Sequence, residues 1–226
     1  MKHNIISLIP ARSGSKSIKD KNIKMFRGKP LIYWSIKASK NCKLINKTIV
    51  TTDSEKYKKI AYDSGADFVL KRPKKISLDR STDLEFIKHA ISNLDFDFEY
   101  IVHLRPTTPL RDQIFLNNAI KSFINSKYTS LRCVHENSES AYKSFEVKKK
   151  KLVTIFKKKF NIDLSNFPRQ QYPKTYIANG LADIYKKSYI IKHNKLFGNK
   201  VFAFITDPTI EIDSISDFKL LNKFYS

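Results

Sequence analysis

The chain is poor in cysteine and has no long apolar run, and both scarcities narrow its chemistry. Only two cysteines occur in 226 residues, Cys42 and Cys133. They lie far apart without ligand-type spacing, so neither a disulfide framework nor a zinc centre is expected, and both read as core thiols. No stretch approaches the roughly 20 apolar residues of a membrane helix. The short apolar run near the N-terminus is too brief for a signal-peptide core and no cleavage site follows it. It reads as a buried first strand, and a cytoplasmic protein without membrane association is expected. Acidic residues are also in short supply: 21 Asp and Glu face 43 Lys and Arg, a formal net charge of +22. Such a charge attracts polyanions. The lysines are nevertheless spread along the whole chain, without an aromatic RNA-binding pattern, a helix-turn-helix signal or zinc-finger spacing. No specific nucleic-acid partner is therefore expected. The densest basic run, Lys148 to Lys151 with residues 157–159, brackets a short apolar stretch and fits a solvated hairpin.

What is present is a globular α/β pattern, with 41% hydrophobic and 12% aromatic residues. The length suits one domain. Asn4 to Ile9 is a continuous apolar run ended by Pro10, the signature of a strand buried on both faces. Pro30 sits where a helix through Leu31, Trp34, Ile36 and Ala38 begins. Lys47 to Thr52 reads as a strand, and Asp53 is placed to cap a helix over Glu55 to Ser64, with Gly65 at its C′ position. Further strands are expected at 67–70, 100–104, 129–134 and 201–205. Helices are expected at 83–94, 112–126, 187–192 and 216–224, the last capped by Ser216. This alternation predicts a Rossmann-like α/β fold with a mainly parallel sheet. Residues 141–178 break the pattern with short strand-like pieces, Lys143 to Val147 and Leu152 to Phe156, and read as a small inserted β-rich arm. The α/β pattern resumes after Gly180, with Ala182 to Tyr185 extended.

In such a sheet, ligands bind beyond the carboxyl ends of the strands. The loop PARSGSKSIKDKN after the first strand therefore stands where a ligand is expected. Ser13, Gly14 and Ser15 allow close backbone approach to a phosphate, and Arg12, Lys16 and Lys21 can neutralise a triphosphate by charge-assisted bonds. Neither a Walker A sequence nor a dinucleotide fingerprint is present.

These residues resemble the acylneuraminate cytidylyltransferase family, the CMP-sialic acid synthetases. Arg12, Ser15, Lys16, Lys21 and Asn22 match its opening PAR-x-GSKG-x-x-x-KN loop position by position, and Ser17 replaces the family's glycine. The resemblance covers nearly the whole chain. It implies the nucleotidyltransferase version of the Rossmann-like fold, with Arg72 at the nucleotide base, where a guanidinium suits a pyrimidine edge. Ser81 and Thr82, in SLDRSTD, could serve base or ribose or cap a helix. HLRPTTPLR resembles the family's LQPTSPLR, with Arg105 in place of Gln; Thr107, Thr108 and Arg111 could offer donors to an anionic ligand. Lys143 falls where the family has a basic sugar-binding residue. RQQYPKTYIANG resembles the element that implies Arg169 for the sugar carboxylate, with Gln170, Tyr176 and Asn179 shaping the pocket. Asp183 is an unusual carboxylate beside it, either selecting a sugar substituent or solvated.

TIEIDSISDF resembles the family's DIDT-x-x-DF. Glu211 and Asp213 are two apart, so on an extended segment they face the same way. Two such carboxylates repel unless a cation shares them, and Mg²⁺ is commonly held by one or two carboxylates plus substrate phosphates. The resemblance thus implies a Mg²⁺-dependent transfer of CMP from CTP to a carboxylated nine-carbon sugar. Arg12, Lys16, Lys21 and Asp213 are the candidate catalytic residues, and a homodimer joined through the arm is implied. A Kdo-loading or other sugar nucleotidyltransferase, and a non-catalytic basic binding protein, are the alternatives. No histidine has an obvious partner; His103 reads as a packed strand-end residue.

Overall fold

Strands and helices alternate along the chain as the pattern predicts. The structure is a computed structural model and describes residues 3–156 and 161–225. β1 (Ile5–Pro10) leads through a long loop to a ribbon of β2 (Met25–Phe26) and β3 (Lys29–Pro30), and then to α1 (Leu31–Asn41). β4 (Lys47–Thr52), α2 (Glu55–Asp63), β5 (Phe68–Lys71), α3 (Asp83–Asn93), β6 (Tyr100–His103), α4 (Gln113–Ile124) and β7 (Ser130–Glu136) follow. The arm contributes β8 (Phe145–Lys148) and β9 (Lys151–Thr154), and the chain closes with β10 (Tyr176–Lys186), α5 (Lys187–His193), β11 (Val201–Ile205) and α6 (Ile215–Tyr225).

The central sheet has seven strands in the order β11-β7-β10-β6-β1-β4-β5. All neighbours are parallel except β10, which runs antiparallel to both β6 and β7. Side chains alternate across the sheet as the pleat requires. Ile5 and Ile9 of β1 enter a core with Ile32 and Ile36 of α1, Tyr57 of α2 and Leu116 of α4. Ile6 and Leu8 enter the opposite core with Phe86 and Ile87 of α3 and Ile190 of α5. Burying each such side chain contributes about 1.5–3 kcal/mol. Ser7 also faces α1, where Ser39 Oγ donates to it at 2.7 Å and also meets Thr48 Oγ1 at 2.7 Å, so the buried hydroxyls satisfy one another. A third core joins Ile18 of the loop after β1 to Phe26, Leu31, Ile212, Phe218 and Leu221. This cluster brings the chain's last helix, and the acidic segment before it, against the phosphate-type loop.

Two local expectations, both helix caps, need correction, and one strand is longer than expected. Ser54, not Asp53, caps α2, its Oγ accepting from Tyr57 N; Asp53 is turned to the loop after β1. The cap of α6 is Ser214 rather than Ser216. Ser214 Oγ accepts from Asp217 N, and Asp217 Oδ2 accepts from Ser214 N at 2.7 Å, a reciprocal pair that satisfies first-turn donors. The extended segment expected over Ala182 to Tyr185 is the end of an 11-residue strand, β10. That strand is interrupted: its register against β7 shifts between Ala178 and Asp183, and Gly180 there has φ +67°. Glycine adopts this left-handed conformation without strain, which allows the bulge. The arm holds the expected solvated hairpin, with Lys149 and Lys150 both at positive φ in its two-residue turn. Residues 157–159 of the basic run lie outside the described residues.

Candidate active site

A cavity of about 220 Å³ opens beyond the carboxyl ends of β1 and β6 and is lined by the loop after β1, by Arg72 and by the start of α3. Its walls include Arg12, Ser15, Lys21 and Asn22 at one end, Arg72, Ser81 and Asp83 at the other, and Arg105 and Thr107 between. The structure therefore brings together eight of the residues singled out from the sequence.

The loop after β1 is held by side chains rather than by regular structure. Ser13 donates its N–H and its Oγ–H to Asp53, at 2.8 and 3.0 Å, and Asn22 Nδ2 donates to the carbonyl of Arg12 at 2.9 Å. Arg12 and Lys16 both reach Asp79, at 2.6 Å each. Hydrogen bonds from Lys16 and Arg12 hold the Asp79 carboxyl below its ordinary pKa. Gly14 has open space around it, and the Lys16 side chain is exposed. An incoming polyanion thus meets two cations whose only carboxylate partner among the described residues is the exposed Asp79.

Lys21 crosses the cavity edge: its Nζ donates to Ile212 O at 3.0 Å and lies 3.3 Å from Asp213 Oδ1. Thr107 Oγ1 donates to Glu211 Oε1 at 3.3 Å, and Ile212 N donates to Thr107 O at 2.8 Å. Glu211 and Asp213 therefore flank the buried Ile212, and each meets a residue that lines the cavity. Asp213 is largely exposed. Among the described residues no group of three or more His, Cys, Asp or Glu could hold a metal. Two all-oxygen side chains at the edge of a basic cavity match Mg²⁺, which takes one or two carboxylates and completes its shell with phosphates and water. The residues present fit that ion.

The other wall is more heavily charged than expected. Arg105 Nη1 donates to Asp183 Oδ2 and Nη2 to Asp83 Oδ2, both at 2.8 Å. Burial opposes the Arg105 charge, but Asp183 and Asp83 outweigh it and raise the pKa above its ordinary value. Asp183 is buried, with Arg132 Nε 3.6 Å from its second oxygen. Asp183 is thus neither solvated nor placed to read a sugar substituent, because its carboxylate is taken up between two arginines. Arg72 is also buried, not solvated: it donates to Thr51 O at 2.8 Å and sits 4.8 Å over the Phe86 ring. Burial pulls its pKa down to about 10. Ser81 lines the cavity, whereas Thr82 forms the capping box of α3 with Glu85 and does not reach it.

Arg111 departs from its expected role as an anion donor. Half-buried, it donates to the carbonyls of Leu181, Arg105 and Gly180 and to Ser35 Oγ. Burial, and then the nearby Arg105, pull its pKa down to about 9. It ties the 105–111 loop to the bulge of β10. At that bulge a Cβ on Gly180 would lie 2.7 Å from Thr108 Oγ1 and 2.9 Å from Glu211 Oε1, so only glycine leaves room for the carboxylate.

A second cavity, of about 520 Å³, shares Glu211 with this region and is lined also by Arg169, Asn179, His135 and Ile177. Asn179 is buried and donates to Thr206 Oγ1 at 2.7 Å. Arg169 Nη2 donates to Asn137 O at 3.0 Å and lies 3.2 Å from Glu136 Oε1. Gln170 lines an adjoining hollow with Arg169 and Tyr172. Lys143 lies outside these cavities, its Nζ 5.7 Å from the Tyr172 ring centre, and Tyr176 is exposed at the start of β10.

Sequence reasoning missed Asp53, Asp79 and Asp83 as members of the site. Asp53 carried a signal, a carboxylate directly after a β-strand, but helix capping explained it equally well.

The profile of the family described as cytidylyltransferase matches residues 6–225. N-acylneuraminate cytidylyltransferase of Escherichia coli O18:K1:H7 is 34% identical over 223 residues, which is 97% of this chain and 52% of that protein. CMP-N,N'-diacetyllegionaminic acid synthase of Campylobacter jejuni is 28% identical over 224 residues, 96% of this chain and 93% of that protein. The chain thus spans about half the length of the first relative and nearly all of the second. Among solved structures, CMP:2-keto-3-deoxy-manno-octonic acid synthetase complexed with CTP superposes with a TM-score of 0.74 at 13% identity, covering 98% of each chain. That likeness establishes the shared fold.

Proposed function

The chain belongs to the cytidylyltransferase family, and we propose that it transfers CMP from CTP to a sialic-acid-like nonulosonic acid, releasing pyrophosphate. The observation that carries this reading is the link between two neighbouring cavities. Thr107, which lines the basic cavity with the phosphate-type loop, donates to Glu211, which lines a larger one edged by Arg169. In this reading Arg12, Lys16 and Lys21 hold the triphosphate and stabilise the departing pyrophosphate, the electrostatic and positioning work typical of such transfers. Arg72 and Ser81 face the base. Arg169, freed from Glu136, takes the sugar carboxylate as a paired donor. The anomeric hydroxyl of the sugar attacks the α-phosphorus; its proton passes to solvent or a ligand oxygen, since no side chain here is placed as an evident base.

Glu211 and Asp213 would hold Mg²⁺, which supplies charge neutralisation of the phosphates and lowers the pKa of a bound hydroxyl. Lys21 is already within reach of Asp213 and would orient that carboxylate.

A homodimer is part of the proposal. The arm exposes Val147, Leu152, Ile155, Phe167 and Ile177, an apolar concentration that suits burial against a second copy. The place of action is the cytosol, where CTP is available; no helix among the described residues is long and apolar enough to cross a membrane.

Asp213→Asn tests the assignment of the acidic edge. It should leave the fold intact and abolish most Mg²⁺-dependent pyrophosphate release; near-wild-type turnover would remove Asp213 from the metal site. For Arg169→Ala, sugar affinity should fall more than CTP affinity, and the reverse order would refute its role.

A further inference from the structure

Building on the reading of the basic cavity as a CTP site, we infer that Asp83 and His103 receive the 4-amino group of the cytosine and thereby set the preference for CTP over UTP. Neither residue has a role in the transfer as described above.

Both line the cavity together with Arg72, Ser81 and Phe86. His103 ends β6 and is fully buried, yet neither of its ring nitrogens has a hydrogen-bond partner among the described residues. Asp83 Oδ2 lies 3.9 Å from Nδ1, too long for a hydrogen bond. A buried polar side chain without a partner is rare in folded proteins and calls for an explanation; a ligand group that completes it is one. Burial, and then the charges of Arg105, Arg111, Arg72 and Arg132, hold the imidazole neutral. A neutral imidazole keeps one nitrogen as an acceptor.

Asp83 supplies a second acceptor. Its Oδ2 is held by Arg105 at 2.8 Å, and Oδ1 has no hydrogen bond to any described residue. Being at the first position of α3, the carboxylate is also favoured by the helix dipole. Arg72 stands on the same wall as the donor, its guanidinium fixed by Thr51 through Nε and Nη2. The wall thus offers donors on one side and two acceptors on the other.

A cytosine edge is the complement of this arrangement. It presents acceptors at O2 and N3 and a 4-amino group with two N–H donors, whereas uracil presents a 4-carbonyl acceptor there. The amino group can donate to Asp83 Oδ1 and to the His103 nitrogen. A 4-carbonyl would leave both acceptors unpaired and facing a third. Sites built to bond a ligand N–H reject the analogue that lacks it strongly, because their own polar groups are then stranded.

The test is calorimetric titration of the purified chain with the Mg²⁺ complexes of CTP, UTP and 2′-deoxy-CTP, without a sugar, so that the acceptor's identity does not enter. Wild type should bind CTP at least about 100-fold tighter than UTP. Asp83→Asn keeps an oxygen for Arg105 but can turn its amide N–H to a 4-carbonyl. The CTP-to-UTP ratio should therefore shrink by about 10-fold or more, with the CTP-to-deoxy-CTP ratio unchanged. His103→Leu, an independent variant should the first fail to fold, should weaken CTP by about 5-fold and UTP by less than about 2-fold. An unchanged CTP-to-UTP ratio in Asp83→Asn, equal losses in His103→Leu, or collapse of the deoxy discrimination instead, which would assign Asp83 to the ribose, overturns the inference. Failure of wild type to bind CTP at all would instead overturn the reading of the cavity itself.

Discussion

Replacing both members of the Arg105–Asp183 pair should cost far less stability than the sum of the single replacements. Asp183 is 3% exposed and Arg105 20% exposed, with 2.8 Å between Nη1 and Oδ2. Removing one member of a buried pair strands the other charge and typically costs about 3–5 kcal/mol. Asp183→Ala should lie near the low end, about 3 kcal/mol, because Asp83 still holds the second arm of Arg105. Arg105→Gln should also cost about 3 kcal/mol, since among the described residues only the more distant Arg132 remains for the buried carboxylate. In the double variant no buried charge of the pair is left alone, so the loss should again be about 3 kcal/mol rather than about 6, a coupling of about 3 kcal/mol. For a chain of this size each single loss amounts to roughly 6–12 °C in Tm. Urea unfolding of the four proteins at pH 7 gives the cycle. Single losses that add to within about 0.5 kcal/mol would show that the two residues do not act as one unit.

Gly180→Ala should destabilise the fold by about 1–2 kcal/mol through the left-handed backbone alone. It should also lower metal-dependent turnover more than nucleotide binding, because the added methyl collides with Thr108 and Glu211; comparing Kd for CTP with kcat separates the two effects. His103 is held neutral in the fold while the unfolded chain titrates near the ordinary histidine value. The unfolded state therefore takes up the extra proton as pH falls below about 6.5, and stability should drop by up to about 1.4 kcal/mol per pH unit from this group. His103→Leu should flatten that slope in urea unfolding between about pH 6.5 and 5, whereas an unaltered slope would mean that the ring is not held neutral. Val147 and Leu152 oppose each other on the arm hairpin and are both exposed. Sedimentation should give a dimer that Val147→Asp with Leu152→Asp converts to monomer; a monomeric parent would reject the arm interface.

The parts of the fold governed by local chemistry were legible in the sequence. β1 is an unbroken apolar run, α2 ends just before Gly65, and the hairpin of the arm turns at Lys149 and Lys150 within the basic run. The phosphate-type loop was equally plain, because its small residues and cations follow directly on a strand. What was not legible depends on distant partners. Nothing near Arg105 in sequence announces Asp183, 78 positions away, and each looked like an isolated departure from the family pattern until β6 and β10 were seen side by side. Arg111 resembled an anion donor because its fate rests on carbonyls of the β10 bulge, and that bulge follows from the positive φ of Gly180 rather than from any periodicity. Thr82 had two chemically equal uses and went to the helix end, whereas Asp53 read only as a helix cap and is turned to the loop after β1.

Phosphorus NMR of one reaction series tests the transfer of CMP to a nonulosonic acid. The purified chain is given CTP and Mg²⁺ with sialic, legionaminic, pseudaminic or Kdo acid in turn. Pyrophosphate and a CMP phosphodiester should appear in equal amounts with at least one nine-carbon acid and not with Kdo. Turnover with Kdo alone, or unchanged CTP in every tube, would contradict the account.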